Sequence, residues 1–300
     1  MQHLSELMEQ AKSEEKQIVA VANAADKEVL SAVKKAIEEK LCSFLLFAAE
    51  DGVRKHAAEI DLDLSTEAAA IVHTEHNPQT AAVKAVHDHK ADILMKGNIS
   101  TKKLLKAVLD KETGLRTGNN LSHVALFEIP NQDRLLFLTD AAMNIAPDLD
   151  GKTNMIKNAV QVAHGIGLQK PNVAVLAAVE VINDEMLATI DAAALTQMQK
   201  RQQIRGCTVD GPLALDNAIS ADAARQKGID SEVAGNADIL MVPTIETGNM
   251  LYKSFMYFAG AKVASVISGA SAPIVLTSRA DSSESKLYSL SLALASAKTF

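Results

Sequence analysis

The chain has no tryptophan, only three tyrosines and seven phenylalanines, so it offers no aromatic platform for stacking nucleic-acid bases. Cysteine is equally scarce. Cys42 and Cys207 form no Cys-x-x-Cys, a usage that suits reduced thiols in a cytoplasmic protein. No apolar run approaches the ~18 residues that a membrane span needs. The opening Met1-Gln2-His3-Leu4-Ser5-Glu6-Leu7-Met8 reads as an acidic amphipathic helix and not as a secretory signal. Basic residues are outnumbered, 30 against 37, and the net charge of −7 argues against nucleic acid or an anionic membrane as the main partner. Also missing are a G-x-x-x-x-G-K loop and a G-x-S-x-G elbow, so common NTPase and serine-hydrolase chemistry loses support. Gly165-Ile166-Gly167 follows a helix, not a strand, and lacks a third glycine. It reads as a helix stop.

What is present is alternation. With 48% hydrophobic residues, rich in Ala, Val, Ile and Leu, the 300-residue chain reads as a layered α/β protein of two domains. Apolar runs predict strands over 17–22, 43–47, 70–73, 91–95, 124–129, 135–138, 173–178 and 274–276. Helical spacing predicts helices over 26–40, 81–89, 102–109, 152–165 and 184–201, and one from about 284. Strands that alternate with helices imply a parallel sheet with crossover connections.

One pattern occurs twice. Ala91-Asp92-Ile93-Leu94-Met95 is followed by Gly97-Asn98 and a helical run; Ala237-Asp238-Ile239-Leu240-Met241 is followed by Gly248-Asn249 and another. Both read as strand, Gly-Asn turn and helix, placing backbone donors at the carboxyl edge of a sheet, where α/β proteins bind ligands. Arg116, flanked by two glycines and two threonines, reads as an arginine on a mobile loop, either an anion ligand or a solvated turn residue. Asp210 and Asp216 bracket a rigid turn at Gly211-Pro212. The histidines at 73, 76, 87 and 89 lack an assured third ligand and read as solvated, and Cys207 reads as a buried structural thiol.

Pro273-Ile274-Val275-Leu276-Thr277-Ser278-Arg279-Ala280-Asp281-Ser282-Ser283-Glu284 runs from a short strand, through hydroxyls around one arginine, into a helix. Two readings fit it: a helix cap beside a surface arginine, or an anion site built from backbone donors and a guanidinium fork.

Seven segments taken in order resemble the phosphate acetyl/butyryltransferase family, on the side of its butyryl branch. They are Leu94-Met95-Lys96-Gly97-Asn98, Gly114-Leu115-Arg116-Thr117-Gly118, Leu121-Ser122-His123-Val124-Ala125, Thr139-Asp140-Ala141-Ala142-Met143-Asn144, Asp210 through Asp216, 243–253, and Leu276-Thr277-Ser278-Arg279-Ala280-Asp281-Ser282. The resemblance covers essentially the whole chain. It implies two α/β/α domains with mostly parallel sheets and a cleft between them, similar to the isocitrate/isopropylmalate dehydrogenase-like fold. The implied division is 1–139 plus a returning 271–300 for the first domain, and 140–270 for the second.

The implied reaction is acyl-CoA plus phosphate giving acyl phosphate plus CoA, with no bound cofactor or metal and with CoA as substrate. Small molecules would be its partners, in a cytoplasmic homodimer or larger homo-oligomer. Ser278, Arg279 and Asp281 are the implied catalytic residues. Lys96, Gly97, Asn98, Ser100, Thr101, Arg116, Thr117, His123, Asp140, Gly248, Asn249, Lys253 and Thr277 are the implied phosphate and CoA ligands. The sequence departs from the acetyl branch in two places: the aspartate proposed there as base falls on Ser285, leaving Asp281 and Glu284 as the nearby carboxylates, and an arginine there corresponds to Lys106. A metal- and nicotinamide-dependent dehydrogenase and a non-catalytic acyl-CoA or acyl phosphate binder remain as alternatives.

Overall fold

Ile18-Val19-Ala20-Val21-Ala22 is an unbroken apolar run, and it forms β1 (Ile18–Ala22), buried at every position but the first. A strand covered by helices on both faces loses the polar alternation of a half-exposed one. The computed structural model describes residues 1–13, 16–276 and 282–300. In chain order, α1 (Leu4–Ser13) precedes β1. Then follow α2 (Lys27–Glu38), β2 (Ser43–Ala48), α3 (Glu50–Ala58), β3 (Ala69–His73), α4 (Pro78–His87), β4 (Ile93–Lys96) and α5 (Thr101–Val108). Next come β5 (Ser122–Glu128), β6 (Leu136–Thr139), α6 (Leu149–Gly165), β7 (Asn172–Leu176), α7 (Leu187–Lys200) and β8 (Thr208–Leu213). The chain closes with α8 (Leu215–Ile219), α9 (Ala221–Gln226), β9 (Ile239–Met241), α10 (Ile245–Tyr257), β10 (Lys262–Ser268), β11 (Ile274–Val275) and α11 (Ser283–Ser296).

Two units emerge. The N-terminal unit comprises 5–119, 264–298 and 300; the central unit comprises 1–4, 120–263 and 299. In the N-terminal unit the strand order is β3-β2-β1-β4-β11-β10, parallel except for β10 against β11. Helix α4 packs on β1 and β2, and α11 packs against α2. The central unit has the order β5-β6-β9-β7-β8, parallel except for the β5–β6 hairpin. Its core includes Phe127, Leu136, Leu138, Leu176 and Leu240, with Tyr252 and Phe255 of α10 packed against it.

Three expectations change. The division expected at 139/140 falls at 119/120, because β6 pairs with β9 (Phe137 opposite Ile239) and carries its hairpin partner β5 into the central unit. Gly211-Pro212, expected as a rigid turn, lies within β8. That strand is the last of its sheet, and an edge position tolerates a residue that cannot donate to the ladder. Gly248-Asn249 does not form a turn after a strand, as Gly97-Asn98 does. Helix α10 has already begun at Ile245, so the pair lies inside it.

Candidate active site

At the carboxyl ends of β1, β4 and β11 in the N-terminal unit lies a cavity of about 610 Å³. The chain leaves β4 through Gly97-Asn98, and this turn is tied to the end of β1. The N–H of Gly97 donates to Ala22 O at 2.9 Å and that of Asn98 to Asn23 O at 2.8 Å, while Asn23 Nδ2 returns a bond to Asn98 O at 2.6 Å. A Cβ on Gly97 would sit 2.1 Å from Asn23 O and 2.6 Å from Ala22 O, so only glycine fits. Ser100 then caps α5, its hydroxyl accepting from Lys103 N at 3.3 Å. Lys96, Gly97, Asn98, Ser100 and Thr101 thus line one cavity, at the positive end of a helix.

A sixth residue joins them without any sequence motif to mark it. Lys286, in the first turns of α11, lines the same cavity at 7% exposure, with Nζ 3.8 Å from Glu28 Oε2. Its only local signal is a helical start after hydroxyls; a lysine there looks solvated until α11 is packed. Leu276 also lines the cavity. Thr277, Ser278, Arg279 and Asp281, which follow it, lie outside the described residues.

The central unit gathers a second set. Asp140 is buried, and its carboxylate is fully engaged: Oδ1 accepts from Ala142 N (2.7 Å) and Met143 N (2.9 Å), Oδ2 from His123 N (3.1 Å) and Asn144 Nδ2 (2.7 Å). Its geometry is that of a residue shaping the loop. Gly248 explains its own identity here, since a Cβ would lie 2.2 Å from Asp140 O. Asn249 Nδ2 donates to Ala141 O at 3.2 Å. The ring of His123 lies 5.9 Å from that of Tyr252, and Lys253 Nζ lies 5.6 Å from the same ring. His123, Asp140, Gly248, Asn249 and Lys253 are therefore neighbours through α10 and the loop after β6.

Residues 3–82 and 65–294 match the family model described as phosphate acetyl/butaryl transferase. The chain belongs to this family. A probable phosphate butyryltransferase of Bacillus subtilis (strain 168) is 54% identical over 99% of both chains. A phosphate butyryltransferase of Clostridium acetobutylicum is 48% identical over 96% of each. Among solved structures, a branched-chain phosphotransacylase from Enterococcus faecalis V583 matches with a TM-score of 0.82 at 38% identity, covering 94% of this chain and 99% of its own. A 4-hydroxythreonine-4-phosphate dehydrogenase from Klebsiella pneumoniae, at 11% identity and a TM-score of 0.59, shares the fold alone over 94% and 100% of the two chains.

For a member of this transferase family, the placement of Arg116 is unexpected. It lines a different cavity from Lys96, on the other edge of the same sheet. Nor is its segment a loose loop. Leu115 is buried, its carbonyl accepts from Ser271 N at 2.9 Å, Arg116 bridges Ala270, and Thr117 Oγ1 donates to Gly269 O at 2.6 Å.

Burial also decides the state of the two thiols. Desolvation pushes Cys207 up to about 11 and Cys42 higher still, so both stay protonated near neutrality. Replacing both by Ala is expected to leave turnover near the parent's and the kinetics free of a ping-pong pattern. An acyl group trapped on either sulfur would refute this.

Proposed function

We propose that the protein transfers a butyryl or similar short or branched acyl group between coenzyme A and inorganic phosphate, directly, in a ternary complex. The observation that carries this reading is the carboxyl-edge cavity holding Lys96, the buried Lys286 and the start of α5. A buried ammonium calls for an anion, and Glu28 at 3.8 Å is a distant partner for it. Phosphate supplies what is missing. The naming of relatives at 54% and 48% identity as butyryltransferases supports the acyl class.

Within this reading, Thr277, Ser278 and Arg279 hold phosphate and the oxyanion, and Asp281 takes the thiol proton of CoA. Their flanks support it: Leu276 on one side and Lys286 on the other line the cavity. The central-unit set around Lys253 and His123 is assigned to CoA. Direct transfer is supported by the protonated state of both thiols, since an acyl-enzyme needs an activated nucleophile. Mixing butyryl-CoA with phosphate should release free thiol in proportion to acyl phosphate formed. Absence of thiol release with acetyl-, butyryl- and branched acyl-CoA alike would defeat the proposal.

Arg279→Lys is expected to lower turnover or phosphate affinity by roughly ten- to hundredfold, because an ammonium cannot reproduce a bidentate fork. Normal phosphate saturation in this variant would remove Arg279 from the site.

A second copy of the chain is the partner this reading adds. Its support is the exposed Val181, Ile182 and Leu187, at 68%, 66% and 67%, with Leu187 lining an apolar cavity of about 540 Å³ beside Leu176 and Leu251. Sedimentation should give at least a dimer, and Leu187→Asp should shift it towards monomer. A parent that sediments as a monomer would exclude this. No described helix is long and apolar enough to cross a membrane. The free, buried cysteines fit a reducing compartment, the cytoplasm.

A further inference from the structure

The carboxyl-edge cavity, assigned above to phosphate, carries two carboxylates in its described lining, and both repel an anion. Both stand at the start of α2. Asp26 is the N-cap of that helix: its Oδ1 accepts from Glu28 N at 3.0 Å and from Val29 N at 3.1 Å, which accounts for an acid there. Glu28 is different. Its carboxylate faces Lys286, with Oε2 3.8 Å from Nζ.

Two features make this a loose pair. The separation is well beyond the ~2.7–2.9 Å of a closed charge-assisted hydrogen bond. The partners are also unequally solvated, since Lys286 is buried while the Glu28 side chain is 71% exposed. Water can take over the charge of Glu28 when it withdraws, and cannot do the same for Lys286. An acid in the first turn of α2 also meets the positive end of the helix dipole. That contribution would serve a side chain facing away from the cavity equally well.

Phosphate and Glu28 therefore seek the same ammonium. A carboxylate left beside a bound dianion would repel it, so the two exclude each other at Lys286.

We propose that Glu28 is a built-in competitor for phosphate: it faces Lys286 between turnovers, is displaced as phosphate arrives, and returns as phosphate or acyl phosphate leaves. This rests on the assignment of the cavity to phosphate. The consequence is a moderate affinity for the ground state. Binding phosphate more tightly in the ground state would lower its KM without raising the saturated rate. Glu28 thus tunes how firmly phosphate is held and takes no part in the bond exchange.

The test is calorimetric titration of the full chain with inorganic phosphate, run beside thiol release from butyryl-CoA. Glu28→Gln keeps the shape and drops the charge. It should bind phosphate about fivefold tighter, the upper end for a charge pair with an exposed partner, with a matching fall in the phosphate KM. The gap from the parent should narrow as salt rises from about 0.1 to about 1 M, because an exposed charge is screened. Parent-like phosphate binding by Glu28→Gln would make Glu28 a helix-dipole residue and overturn the proposal. Weaker binding would overturn it too, by showing that the carboxylate holds Lys286 in place for phosphate, and so would a gap that ignores salt. In each of these cases a parent that binds phosphate and releases thiol leaves the acyl-transfer reading standing. A parent that binds no phosphate overturns both the competitor and the assignment of the cavity.

Discussion

Asp281→Asn is expected to slow acyl transfer by ~10²–10⁴-fold, the range for loss of a general base, while leaving the fold intact. The CoA thiol, with a pKa near an ordinary thiol's ~8.5, has to lose its proton on the way to acyl-CoA, and no imidazole stands among the described residues of the carboxyl-edge cavity to take it. Asp281 lies two residues beyond Arg279, between Leu276 and Lys286, which both line that cavity. Glu284 competes for the role, but its Oε1 accepts from Tyr288 Oη at 2.8 Å along α11.

Helix capping does not compete for the carboxylate. The N-cap of α11 is Ser282, whose hydroxyl accepts from Ser285 N at 3.1 Å, so the helix does not depend on a carboxylate at 281. The measurement is turnover of butyryl-CoA from pH 6 to 9. A flattened profile with an unchanged melting temperature supports the base. A folded variant turning over near the parent rate across that range would dismiss it.

Gly97→Ala should cost about 3 kcal/mol, at the upper end for overpacking, because the added methyl meets two backbone oxygens and not a side chain that can swing aside. For a unit of this size that lowers Tm by roughly 6–12 °C. Activity should fall further than stability explains, since relieving the clash parts β4 from β1 and displaces Lys96 and Ser100 together. Thermal melting alongside phosphate saturation checks both parts. A parent-like Tm would show that the Ala22–Asn23 backbone yields easily, and with it would fall the account of why glycine stands there.

Much of the carboxyl-edge site is legible in the sequence. The turn after β4 is legible because its chemistry is local: Lys96-Gly97-Asn98 and the cap Ser100 fall within five residues, and a glycine between a strand and a capped helix marks a tight turn. Gly248-Asn249 misleads for the converse reason. The dipeptide has turn chemistry, yet α10 runs through it, and the glycine answers to Asp140 O, over a hundred residues away. Arg116 looks mobile beside its glycines and threonines, but pairing with Ala270 and Ser271 pins it, and those partners are distant in the chain. The hairpin β5–β6 falls on the far side of the expected boundary because strand partners across a sheet leave no periodic signal.

Family membership, α/β alternation and the carboxyl-edge turn follow from short-range patterns: apolar runs, helical spacing, caps and motif order. These depend on residues a few positions apart, and the linear chain records them. Which cavity a cation reaches depends instead on which ends of which strands lie side by side. Lys96 and Lys286 meet at one edge of the sheet, whereas Arg116 lies at the other with Gln17 and Lys298. That sorting is made by the parallel register of β1, β4 and β11 and by the packing of α11, long-range pairings that burial enforces and no local pattern encodes.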